Sequence, residues 1–86
     1  MTFEGSISGF RSLEQADAIA SILEYMSRSI AYDEEKQATA KTLAGRIKRY
    51  IKEGIVLTNI PTYSRNQENI LAEAIEIYTE AKRQND

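Results

Sequence analysis

Five cations crowd one short stretch of this chain: Lys41, Arg46, Lys48, Arg49 and Lys52, within KTLAGRIKRYIKEG. Guanidinium and ammonium groups on successive helical turns are the side chains that grip phosphate oxygens. Their spacing therefore makes this stretch a candidate nucleic-acid- or anion-binding helix. The same residues also read as a solvated face whose cations complement the helix dipole. The formal net charge of −2 favours that second reading. A second set is acidic: Glu73, Glu76 and Glu80 recur at helical spacing. Carboxylates so placed can hold a cation or share acid–base work. With no His, no Cys and no glycine-bearing calcium loop beside them, a solvated stripe is the expectation.

The missing residue types exclude more than the present ones select. Without Cys there is no thiolate nucleophile, disulfide or cysteine-held metal. Without His the commonest general base and metal ligand are gone. The four glycines form neither a phosphate loop nor a dinucleotide fingerprint. No catalytic residue, metal ligand or cofactor is expected, and the chain reads as a non-enzyme. MTFEGSISGF lacks the basic and apolar regions of a signal peptide, and no apolar run has the length of a membrane span. A cytoplasmic protein with no membrane partner is expected.

The elements that must position these side chains follow from apolar periodicity. At 86 residues the prior is one domain, 1–86. Residues 1–11 read as an arm anchored by Phe3, Ile7 and Phe10, and 83–86 as a frayed tail. Ser12 is a good N-cap with Gln15 at capping-box spacing. Ala16, Ile19, Ile22, Leu23, Met26 and Ile30 then trace a stripe, which predicts a helix over Leu13–Ala31. Asp33 caps a second helix, Glu34–Glu53, with Glu34 and Glu35 in its first turn. Gly45 lies inside it, where it permits close packing or marks a kink. A chain this small must fold back to bury the first stripe, so the two helices are read as a hairpin.

Gly54 sits where a helix C-cap belongs. The run 55–60 reads as a short extended segment ended by Pro61. Its candidate partner is the N-terminal arm around Glu4–Ser8, or a second chain. Ser64 or Asn66 caps a third helix, Arg65–Lys82. The fold class is mainly α: a helical hairpin plus a C-terminal helix. The expected core is Ile19, Ile22, Leu23, Met26, Leu43, Ile47, Ile51, Ile70, Leu71, Ala74 and Tyr78.

The stretch TLAGRIKRYIKEGIVLTN resembles the recognition helix and first wing strand of winged helix-turn-helix domains. The resemblance implies that Arg46, Lys48 and Arg49 face DNA and that Ile47 and Ile51 face the core.

The third helix carries a broader apolar arc than one partner needs. Ile70, Ile77, Tyr78 and Ala81 are the candidate oligomer interface. Five tyrosines, a residue type enriched at interfaces, add to it or bound a small core. Three function classes follow. The first is a small, homo-oligomeric, regulatory interaction protein that binds another macromolecule. The second is a DNA-binding regulator using helix 41–53. The third is an anionic small-ligand binder at a subunit junction.

Overall fold

A computed structural model describes residues 5–8, 12–55 and 59–84. Their order is β1 (Gly5–Ser8), α1 (Leu13–Arg28), α2 (Glu34–Lys52), β2 (Asn59–Thr62) and α3 (Arg65–Gln84). The protein is a mainly α, three-helix domain. α1 and α2 form a hairpin with the most extensive helix–helix contact in the molecule, and α3 packs on both.

Helix starts match their capping signals. The Ser12 hydroxyl accepts from the Gln15 N–H at 3.1 Å, and the Asp33 carboxylate accepts from the Lys36 N–H at 2.8 Å. Of the two candidate caps for α3 it is Ser64 that acts, accepting from the Gln67 N–H at 3.1 Å.

α1 stops three residues before the expected Ala31. Ser29 is the reason. Its backbone turns extended, its N–H bonds Met26 O, its hydroxyl accepts from the Ala31 N–H, and its carbonyl accepts from the Gln37 side chain at 2.7 Å. A serine that can satisfy the backbone locally competes with the helix ladder. Ile30, expected on the apolar stripe, therefore lies in the turn and is fully exposed.

α2 ends one residue before the expected Glu53. The Gly54 N–H bonds Ile51 O at 3.0 Å and the Ile55 N–H bonds Tyr50 O at 2.8 Å, the paired bonds of a Schellman cap. Gly54 takes φ +69°, a left-handed conformation that an L-residue with a Cβ adopts at a cost. Gly45, by contrast, lies in regular helix, and an added Cβ there meets nothing within 4 Å. Gly54→Ala is accordingly expected to destabilise by about 1 kcal/mol. Gly45→Ala is expected to stabilise by about 0.5–1 kcal/mol. Urea unfolding of the two variants side by side checks the pair.

The extended segment is displaced from the expected 55–60. Ile55 is consumed by the cap, residues 56–58 lie outside the described residues, and β2 spans Asn59–Thr62. β2 runs antiparallel to β1, with Gly5 opposite Thr62 and Ile7 opposite Ile60. Pro61, expected to end the run, lies within the strand opposite Ser6. In a two-stranded antiparallel ladder alternate residues turn their nitrogens away from the partner, and a proline fits there without losing a bond. The rest of the arm, with Phe3 and Phe10, lies outside the described residues. α3 runs two residues past Lys82, so Arg83 and Gln84 of the expected tail are helical. Asn85 and Asp86 lie outside the described residues.

The core joins Ile19, Leu23 and Met26 of α1, Leu43 and Ile47 of α2 and Leu71 of α3, all fully buried. Ile70 and Ala74 are buried with them, while Ile22, Ile51 and Tyr78 pack half-buried at its edge. Ala16, Ala20, Ala40, Ala44 and Ile60 complete it. No helix among the described residues is long and apolar enough to cross a membrane.

Candidate functional site

The five cations of α2 do not share one face. On a 3.6-residue period Arg46 and Lys48 leave the helix on opposite flanks. Arg46 turns toward α3. Its guanidinium donates to the Gln67 side-chain oxygen at 3.2 Å and stacks 4.8 Å from the centre of the Tyr63 ring. The same Gln67 oxygen accepts from the Tyr63 N–H at 3.0 Å. Arg46 is thus part of a clasp that ties α2 to the turn before α3. Lys48 turns toward α1 and forms an ion pair with Glu24. The Glu24 oxygen withdrawn from solvent is the one that Lys48 meets, so this carboxylate is paired. Lys41, Arg49 and Lys52 are exposed.

α2 is one continuous helix of 19 residues, and the strand that follows it pairs with the N-terminal β1. The short helix and turn that precede a recognition helix, and the returning wing strand, are not found among the described residues.

The hairpin instead builds a groove of about 460 Å³ on the side of Lys41 and Lys48. Ala44, Gly45 and Ser27 line it together with Glu24 and three cations, Arg28, Lys41 and Lys48. Glu24 also holds Arg28 at 4.0 Å, one helical turn on. Four charged groups enclose a floor of small residues, with a gap where Gly45 has no side chain. α1's part in this groove was not visible from α2's periodicity. It depends on which turns of the two helices lie side by side.

The candidate interface residues of α3 divide. Ile70 belongs to the protomer's own core at 3 % exposure. Tyr78 is half-buried, with the Lys82 ammonium 5.7 Å from its ring centre. Ile77 keeps 40 % of its surface and Ala81 is exposed. Ile77 shares a shallow surface recess with Glu73, Glu76 and Glu80. Glu80 pairs with Arg83 at 3.8 Å, while Glu76 makes no ion pair among the described residues. No cluster of metal-ligating side chains occurs among the described residues.

Glu73 has a further task. It accepts a hydrogen bond from the Tyr32 hydroxyl at 3.2 Å, joining the α1–α2 turn to α3. Burial first, then the charge of Glu73 and the bond to it, and last the neighbouring Tyr25, raise the Tyr32 pKa above its ordinary 10.0. A raised folded pKa means that the associated stability is fully present below the unfolded value. It is lost as pH rises through the folded one. Tyr32→Phe is expected to remove about 1 kcal/mol of hydrogen bonding at neutral pH. It is also expected to make stability fall less steeply above about pH 10. Melting curves of both proteins from neutral to alkaline pH check it.

The fold and these surfaces define a mainly α three-helix domain with a charged hairpin groove and, on α3, a shallow acidic recess that contains Ile77. Compared with known proteins, the chain matches no family model, no curated protein and no solved structure.

Proposed function

We propose that this chain is a small interaction protein that self-associates and acts by binding another macromolecule, without chemistry of its own. The observation that supports this reading is the apolar arc of α3. Ile70, Leu71 and Ala74 complete the core, and Ile77 and Ala81 remain outside it. A lone exposed apolar residue needs no explanation. Ile77 differs in being ringed by three carboxylates, the pattern of an apolar contact with a polar rim. A domain of this size also buries only about 60–65 % of its unfolded surface, so association supplements a small core.

Sedimentation equilibrium over a wide concentration range tests the reading. Concentration-dependent association supports it, and a monomer at every concentration overturns the self-associating part. The DNA-binding alternative keeps Arg49 and Lys52 as exposed cations. A salt-sensitive shift of a mixed-sequence duplex that drops in Arg49→Ala would support it.

A further inference from the structure

The groove and the acidic stripe lie on different helices of the same molecule, and their charges are opposite. We propose that the α1–α2 groove receives the Glu73–Glu80 stripe of α3 from a second copy of this chain. The inference rests on the self-association proposed above and names its two surfaces.

Three matches carry it. The first is charge. The groove offers Arg28, Lys41 and Lys48 against a single carboxylate, Glu24. The stripe offers Glu73, Glu76 and Glu80. The second is shape. Ile77 stands among those carboxylates at 40 % exposure. The groove floor holds Ala44 and an open position at Gly45, where even a Cβ would meet nothing within 4 Å. A groove of about 460 Å³ has room for a branched side chain in place of water. The third is length. Lys41 to Lys48 and Glu73 to Glu80 each span two helical turns, about 10 Å at the helical rise.

Gly45 gains a reason under this arrangement. A glycine weakens a helix interior relative to alanine, and here it keeps open the place that Ile77 of a partner occupies. The contact joins two different surfaces, so copies either pair about a two-fold axis with both grooves filled or add head to tail into a ring or chain. Its polar rim is exposed and therefore screened by salt.

The test uses two charge reversals at residues that hold nothing together within the protomer. Lys41 and Glu76 are both exposed, and neither forms an ion pair among the described residues. Lys41→Glu leaves the groove with two cations against two carboxylates, and Glu76→Lys leaves the stripe with two carboxylates and a cation between them, so each removes most of the attraction between the surfaces. Each variant alone is expected to associate at least tenfold more weakly than wild type in low salt. An equimolar mixture of the two is expected to regain association, because the unaltered groove of Glu76→Lys meets the unaltered stripe of Lys41→Glu. Gly45→Leu, which fills the groove without changing charge, is expected to abolish association while melting no lower than wild type. If wild type associates and the variants and mixture behave as wild type does, another surface mediates assembly and this inference fails alone. If wild type remains monomeric throughout, the self-association reading fails and takes this inference with it.

Discussion

Truncating Ile47 to alanine is expected to cost about 3 kcal/mol, whereas the same truncation at Ile30 is expected to cost less than about 0.5 kcal/mol. Both residues fall on apolar stripes of the sequence, and the structure separates them. Ile47 is fully buried on α2 within the cluster that holds Leu23, Leu43 and Leu71 together. Cutting it back removes the transfer free energy of its lost carbons and leaves a cavity that a close-packed interior closes only in part. A chain of this size has a stability of roughly 4–13 kcal/mol, so the loss takes a quarter or more of it. The melting temperature should fall by roughly 12–24 °C. Ile30 is as exposed as a residue can be, in the turn that Ser29 forces after α1. Differential scanning calorimetry of the two variants checks the contrast. Equal losses would mean that the Ile30 side chain is packed, and that α1 continues through the turn.

Helix number, order and inward faces were legible in the sequence because each rests on local chemistry. Ser12, Asp33 and Gly54 announce their caps through a side-chain oxygen or a missing Cβ, and these signals work wherever the chain later packs. Ser29 could have been read the same way, since a hydroxyl that bonds its own neighbours is a local competitor of the helix. The apolar stripe running on to Ile30 outweighed it. The strand position was harder to read. The run from Ile55 to Ile60 is uniformly extended in character, and the Schellman cap takes Ile55 before any ladder begins. Pro61 signals a break only for a strand flanked on both sides. A two-stranded sheet leaves alternate nitrogens facing outward, and nothing in the local sequence states how many strands the sheet has.

The candidate site was legible only in its parts. Lys41 and Lys48 read as cations of one helix, whereas their groove partners Glu24 and Arg28 lie on another. That they surround one groove depends on the antiparallel alignment of α1 and α2, a non-local fact. The same holds for Arg46. Its charge is visible in the sequence, but its engagement with Gln67 and Tyr63 depends on α3 crossing α2 at that turn.

Thr62→Val is expected to stabilise the protein by about 1–2 kcal/mol, raising the melting temperature by roughly 4–16 °C. Thr62 is 1 % exposed and its hydroxyl has no hydrogen-bond partner among the described residues. Other threonines avoid this state by their position in helices. The hydroxyls of Thr39, Thr42 and Thr79 each donate to the carbonyl four residues earlier, at 2.9, 3.1 and 2.9 Å. A strand presents no such carbonyl, because its backbone groups point sideways into the ladder. Across the ladder Thr62 faces Gly5, which has no side chain to offer. Valine keeps the branched shape that suits a strand and exchanges the stranded hydroxyl for a methyl. Thr62→Ser supplies the opposing control. It keeps the hydroxyl, removes the methyl and is expected to cost about 1 kcal/mol. Chemical denaturation of the three proteins decides the matter. A Val variant less stable than wild type would mean that the hydroxyl has a hydrogen-bond partner, since losing one is what makes the methyl unfavourable at a buried site.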